Sequence, residues 1–478
     1  MNTAAARPVV PGMETKLSRL AFVGAGLLVS IGLIWSHSGE QLLAYLLIVF
    51  AALLPTVLWI RSGATGIPVL PVVNLTYIPY FGWPVLSSGE VGLVYTDWEI
   101  MRAALTVVLF LLTACFSWFI MLRSSREQAG TVLDHLENER VVKLVMTGLW
   151  VGVLFTLAVS ANLLDWLGPF FGMARAVTGT LATVACFLSG VTRAQGILRG
   201  NAWVGAVVGM VLLVLLNWSS LFLVTGIVYS LAMLFGYCIV AKRVPWVTVL
   251  SAFAIVTVLH AGKPELRAKY WELDSPMASV WSLPSMMIEW FGEGIYAITS
   301  GAEYQSPLER TGLMHMLLFA QARTPDSIDY LNGATYQLLP SILVPRFLDE
   351  SKPISGAGME LINIHYGFFS DQVDSLTSIG WGLVAEAYAN FGYLCVIAVA
   401  AFLGLVTGAL HRWSVGAAVI SMPTLLSIAV MMALINVEAD FIQICSTVLQ
   451  SFAAVLIFHT GFKSFALSRE TPDPAVQR

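Results

Sequence analysis

Apolar runs close to 20 residues long recur through this chain, and they limit its possible folds more than any other feature. Each is about the length a helix needs to cross roughly 30 Å of hydrocarbon. Twelve candidate spans lie near 20–36, 41–60, 67–86, 102–122, 142–164, 173–192, 201–218, 220–240, 245–261, 388–410, 414–434 and 441–461. Backbone polar groups in lipid must be satisfied within the protein, so the runs predict an all-α, polytopic membrane bundle of about 12 transmembrane helices. Charge agrees: 11% of the 478 residues are Asp, Glu, Lys or Arg, less than half the roughly 25% of a soluble chain. The third run holds Pro68, Pro71, Pro79 and Pro84, which predicts a kinked or re-entrant segment. The seventh and eighth are divided by "NWSS", a tight turn.

Orientation follows from the basic residues of short loops. Sixteen of the 25 Lys and Arg fall in the two tails and in one set of loops, at Arg61, Arg123 to Lys143, Arg193 and Arg199, Lys242 and Arg243, and Arg412. The opposite short loops keep Arg102 and Arg175, and seven more lie in one long loop. Both termini are therefore expected in the cytoplasm and residues 262–387 outside. The chain divides into an N-terminal bundle of about nine spans (1–261), the outward loop (262–387), a C-terminal bundle of about three spans (388–461) and a tail (462–478), a division read from span length. Lys16 and Arg19 precede a first run long enough to remain as an anchor, so no cleaved signal is expected. "TPDPAVQR" at the end reads as a disordered tail. The net charge of −4 gives no reason to expect nucleic acid. Cys115, Cys186, Cys238, Cys395 and Cys445 all lie in apolar runs without CxxC spacing, and read as packing residues.

A loop this long is more than a connection. "SPLER" offers Ser306 as a helix N-cap, Pro307 as the first helical residue and Glu309 as the capping partner. "TPDS" repeats the start with Thr324 and Pro325. "SVWSLPSMMIEWFGEGIYAI" suits a helix in the membrane interface, with Glu289 and Glu293 on its wetter side. Short helices packed on the outer face of the bundle are expected.

The loop also gathers charge. "LLPSILVPRFLDESKP" closes an apolar run with Pro345 and then sets Arg346, Asp349, Glu350 and Lys352 within seven residues. Lys263, Arg267 and Lys269 form a solvated cluster past the ninth span. Arg310, Arg323 and Arg346 are isolated in apolar or turn contexts, where a guanidinium pairs either with a carboxylate or with a ligand phosphate. His365, in "NIHYGFF", is the loop histidine nearest other polar residues. No HExxH or His/Cys ligand spacing occurs, so no metal is expected. A rival signal is "DWE", where Asp97 and Glu99 form an acidic pair able to hold a divalent ion. Glu386 and Asn390 are four apart and share a helix face at the mouth of the tenth span. Gly392, Gly404 and Gly408 allow close helix packing there. The spans carry almost no ionisable residue at mid-depth, which counts against an ion-coupled transporter.

"YLNGATYQLLPSILVPRFLDESKP" followed by "AEAYANFGYLCVIAVAAFLGLVTG" resembles bacterial O-antigen and exopolysaccharide repeat-unit polymerases of the Wzy type. The likeness lies in Pro-Arg-aromatic before Lys-Pro and in Glu-x-Tyr-x-Asn-Phe-Gly opening a glycine-rich span, over about 320–410. It implies a glycosyltransferase of the bacterial inner membrane that needs neither metal nor cofactor. Its substrate would be an undecaprenyl-diphosphate-linked oligosaccharide among membrane lipid, and its partners a chain-length regulator and a flippase. By analogy Arg346 and Lys352 hold the lipid diphosphate, while Glu386, Tyr388 and Asn390 shape the rim of the site, with Glu386 a candidate base. Arg310, Arg323 and His365 are the further substrate-binding candidates. A ligase passing finished glycan to another acceptor, and a transporter or export partner, are the competing readings. No Walker loop or dinucleotide fingerprint is present.

The orientation is open to direct test. Reporter fusions at Ser306 and Lys463 should give opposite signals, outside and cytoplasmic. The same signal at both would overturn the topology.

Overall fold

The computed structural model describes residues 13–86, 94–123, 138–271, 280–300, 312–344, 356–368 and 379–467, with Val91, Leu348, Asp349 and Pro353. The described residues are helical, and no strand occurs among them. Ten helices are long and apolar enough to cross a membrane, and two shorter apolar helices, Met422–Leu434 and Phe441–Ile457, accompany them. The chain is a multi-pass helical bundle of the kind the apolar runs require.

In order the helices are α1 (Met13–Trp35), α2 (Gly39–Arg61), α3 (Val69–Leu86), α4 (Asp97–Arg123), α5 (Asn138–Ser160), α6 (Phe171–Ala194), α7 (Gly200–Trp218) and α8 (Leu223–Ala241). They continue with α9 (Trp246–Tyr270), α10 (Leu283–Thr299), α11 (Met314–Arg323), α12 (Leu339–Leu343), α13 (Ala357–His365), α14 (Gly382–Ser414), α15 (Met422–Leu434) and α16 (Phe441–Leu467). One group packs α4 between α14 and α2, with α3 buried against α2, α14 and α15 and α1 outside on α2. A second packs α6 against α8 and α5, with α7 beyond. α16 touches both α6 and α15, and so joins the groups.

The proline-rich third run is a kinked helix. It opens a wide turn over Ile78–Gly82 before resuming at Trp83. Pro79 brings no N–H and crowds the preceding turn, and the wider turn makes room for it. Its entry is latched to the far end of α14. Ile67 N–H donates to Ser414 Oγ at 2.8 Å, and Ile67 O lies 3.1 Å from His411 Nδ1. A carbonyl only accepts, so that ring nitrogen carries the proton.

Three expectations need correction. α9 does not stop near residue 261 but runs to Tyr270, through Pro264. "TPDS" starts no helix: α11 ends at Arg323 and Thr324–Ser327 form the turn that follows. α10 does not lie flat on the bundle. It folds back along α9, with Trp290 Nε1 donating to Leu259 O, and Lys269 and Tyr270 both bonded to the Glu289 carboxylate. "SPLER" falls outside the described residues. All five cysteines are free thiols.

Gly404 and Gly408 are used as the sequence suggests, against α4. A Cβ on Gly404 would collide with the carbonyl oxygen of Ala114, and one on Gly408 would sit 2.8 Å from Met121 Cβ. Gly404→Leu should therefore destabilise the protein by about 1–3 kcal/mol through overpacking. Gly24→Leu, where nothing lies within 4 Å, is the control. Thermal unfolding in detergent checks this, and equal midpoints for the two variants would show that the α4–α14 contact carries no weight.

Candidate functional site: the broken end of α14

α14 is one helix with a break. Phe391 (φ −146°, ψ 26°) and Gly392 (φ 62°, ψ −145°) leave the helical region. A positive φ there favours glycine, which has no Cβ to clash. The break leaves the preceding carbonyls without amides from the next turn. The segment that follows α11 supplies them. Leu331 N–H donates to Ala389 O at 3.0 Å and Asn332 N–H to Asn390 O at 3.2 Å. The Asn390 side chain completes the joint: Oδ1 accepts from Gly333 N–H at 3.1 Å, and Nδ2 donates to Thr335 Oγ1 at 3.0 Å and Glu386 O at 2.9 Å. Asn390 is fully buried.

One turn earlier Glu386 is 0% exposed. Its Oε2 accepts from Phe441 N–H at 2.7 Å, while Oε1 has no hydrogen-bond partner. Asp440 serves the same helix end: Oδ1 accepts from Gln443 N–H at 2.6 Å and Oδ2 from Met359 N–H at 2.9 Å. Burial raises the Asp440 carboxyl above its ordinary value, and the two amide hydrogen bonds oppose that rise. Two carboxyl groups thus crowd the positive end of α16, where the helix dipole favours negative charge. The candidate base is not open to the surface in this structure. Glu386 clamps α16 to α14.

Tyr388 is buried, with its hydroxyl 3.4 Å from Thr324 O and its ring edge-on to Tyr393 and Tyr330. Thr324 Oγ1 is 2.7 Å from the Tyr366 hydroxyl, and Trp381 Nε1 donates to Asn363 Oδ1 at 2.8 Å. These bonds fix α11 and α13 to the start of α14. Burial raises the Tyr366 phenol, and the Thr324 contact works against it. His365 is half-buried at the end of α13, with Nε2 2.8 Å from Asp329 O. Arg323 is exposed, its guanidinium 4.2 Å above the Phe319 ring. Arg310, Arg346 and Lys352 lie outside the described residues.

Sequence reasoning took Arg102 only as an orientation marker. It crosses from α4 to α11, donating from Nη2 to Gln321 O at 2.8 Å, while Gln321 Nε2 donates to Thr106 Oγ1 at 2.8 Å. Arg102 Nε and Gln321 Oε1 stay buried without partners. Nearby, burial raises the Tyr95 phenol, Arg323 lowers it and Glu99 raises it. The acidic pair is also redefined. Glu99 Oε2 accepts from Thr96 N–H and from Thr96 Oγ1, both at 2.8 Å, and Glu99 N–H reaches back to Thr96 Oγ1 at 3.4 Å. "TDWE" is a capping box, a signal available in the sequence. Among the described residues no three His, Cys, Asp or Glu side chains come together in a group that could hold a metal ion.

The arrangement is a rim that carries the exposed Arg323, mounted on a buried polar joint. No family model, no curated protein and no solved structure matches the chain.

Asn390→Ala would leave Gly333 N–H and Thr335 without their partner in a dry place, at a cost of about 1–3 kcal/mol. Limited proteolysis should then cut within 331–335 faster than in the parent. An unchanged cleavage pattern would remove Asn390 from the joint.

Proposed function

We propose that this chain polymerises undecaprenyl-diphosphate-linked oligosaccharide repeat units at the outer face of the bacterial inner membrane, as a glycosyltransferase that uses no metal or cofactor. One observation carries the reading. The two segments that resemble repeat-unit polymerases, "YLNGATY" and "AEAYANFG", are hydrogen-bonded to each other through Leu331, Asn332, Gly333 and Asn390. They form one structural unit rather than two unrelated stretches.

The chemistry needs little beyond placement and charge. An acceptor sugar hydroxyl attacks the anomeric carbon of the donor. The bond from that carbon to the lipid diphosphate breaks, its electron pair stays on the diphosphate oxygen, and the hydroxyl proton leaves to a base. Negative charge therefore grows where arginines can already hold oxygen atoms, and such stabilisation is strongest in a site shielded from water. Arg346 and Lys352 are proposed for the diphosphate, with Arg310 and Arg323 beside them and His365 and Tyr388 at the rim. The Arg323 guanidinium is exposed above the Phe319 ring, free to turn its nitrogens to a phosphate. Glu386 and Asn390 are proposed to position this rim, since both are wholly buried.

A deletion strain tests the reading. Its glycans should run as a single repeat in place of a ladder. Loss of all attached glycan, with lipid-linked polymer accumulating, would point to a ligase instead, and an unchanged ladder would sink both. In complementation Arg346→Ala should lower the rate about 100- to 1000-fold, the effect of losing one donor to a developing anion. Arg346→Lys should rescue little, because an ammonium lacks the planar fork. A well-expressed Arg346→Ala protein that makes long polymer at the normal rate would remove Arg346 from the chemistry.

A further inference from the structure

The bundle carries a second cationic constellation, at the end opposite to the broken helix. α6 and α8 approach closely there. A Cβ on Gly190 would collide with Met233 O, and one on Gly236 with Phe187 O. Just past these contacts a cavity of about 360 Å³ opens between the two helix ends, lined by Arg193, Ala194, Tyr237, Ala241 and Arg243.

Both guanidiniums are held, and by uncharged groups. Arg193 lies 4.8 Å from the centre of the Trp203 ring and donates from Nη1 to Leu198 O at a long 3.4 Å. Arg243 donates from Nε to the Tyr237 hydroxyl at 3.0 Å. The Glu139–Lys143 and Lys269–Glu289 ion pairs lie elsewhere, and neither touches this cavity. Arg199 folds its guanidinium over Gly196 in the turn that follows α6. Cations at helix C-termini are common because they complement the dipole. That role asks only for a cation near the last carbonyls. It does not require two guanidiniums and a phenol arranged around a hole. Tryptophan marks the depth: Trp246, three residues after Arg243, is 57% exposed, as expected of a side chain at the membrane–water boundary.

We propose that this cavity binds a phosphate group, presented by the headgroup of an anionic lipid in the leaflet at this end of the bundle. A guanidinium fork matches two phosphate oxygens at once, and basic pockets between membrane helices bind anionic headgroups. Arg193 and Arg243 hold the phosphate from two sides, and Tyr237 orients Arg243 through Nε so that its terminal nitrogens face the cavity. The acyl chains lie along the lipid-facing surfaces of the helices. The site is independent of the proposed polymerase reaction, since it shares no residue with the rim on α14.

The test uses the full-length protein in neutral detergent, with native mass spectrometry and thermal unfolding as readouts. Phosphatidylglycerol, phosphatidylcholine and inorganic pyrophosphate are the probes. The parent should retain phosphatidylglycerol in preference to phosphatidylcholine and melt higher with it. The double variant Arg193→Gln, Arg243→Gln should lose that retention about tenfold or more, as expected when hydrogen bonds to a charged group are removed. Arg193→Lys with Arg243→Lys keeps the charge without the forks, and should recover only part of it. Arg61→Gln with Arg412→Gln removes the same charge elsewhere and should change nothing. Suppression of lipid retention by millimolar pyrophosphate would assign the phosphate site to a soluble ligand rather than a lipid. Equal loss in the Arg61, Arg412 control would overturn the proposal in favour of diffuse charge. Retention in a folded Arg193, Arg243 double variant equal to that of the parent would also overturn it.

Discussion

Two carbonyls and two amides hold the segment after α11 to the bundle. When α14 breaks at Phe391 and Gly392, the carbonyls of Ala389 and Asn390 lose their helical partners, and the amides of Leu331 and Asn332 take their place. The position is too dry for water to do the same work, so the loop must dock for the break to persist. Everything nearby follows from that exchange. Asn390 can reach Gly333 and Thr335 only because the loop is there, and Tyr330 can lie against Gly392 only because no Cβ intervenes. The loop is thus a part of the helix bundle in energetic terms, although it is distant in sequence.

The second dependence is electrostatic. Glu386 and Asp440 bring two carboxyl groups to one helix N-terminus. Each finds an amide, and the dipole of α16 favours both, but burial and mutual repulsion oppose them. Asp440 also reaches the amide of Met359 at the start of α13. One acidic pair therefore ties α13, α14 and α16 at a point where α15 has just ended. A rim built this way is positioned by buried carboxyl groups and presents Arg323 to the surface.

How much of this could be read in the sequence depended on range. The spans were legible because hydrocarbon thickness sets a length that apolar runs must meet. Their ends were less so. The ninth apolar run closes near residue 261, yet α9 continues through Pro264 to Tyr270, because a helix can outlast its apolar stretch. "TPDS" carries a signature shared by helix starts and by turns, and only the docking of Thr324 onto Tyr366 decides between them. "TDWE" was readable as a capping box, and the nearness of two carboxylates drew attention to ion binding instead. Glu386 and Asn390 stood out as a polar pair on an apolar helix. That they face inward to Phe441 and Gly333 is a long-range fact, which no local spacing encodes. Arg102 was hidden for the same reason, because its partner Gln321 is 219 positions away.

The hairpin of α9 and α10 stands apart from the rest. One end is moored by Arg267, whose guanidinium lies 4.0 Å from the centre of the Trp271 ring and 5.1 Å from that of Phe222 and donates to Leu221 O. Its flanks are greasy and uncovered: Val247 is 82% exposed, Phe253 69% and Ile288 75%. α9 is 25 residues long and rises about 38 Å at 1.5 Å per residue, enough to cross a hydrocarbon core of roughly 30 Å. With side chains this apolar on its open flank, the hairpin can be covered only by lipid or by another apolar surface.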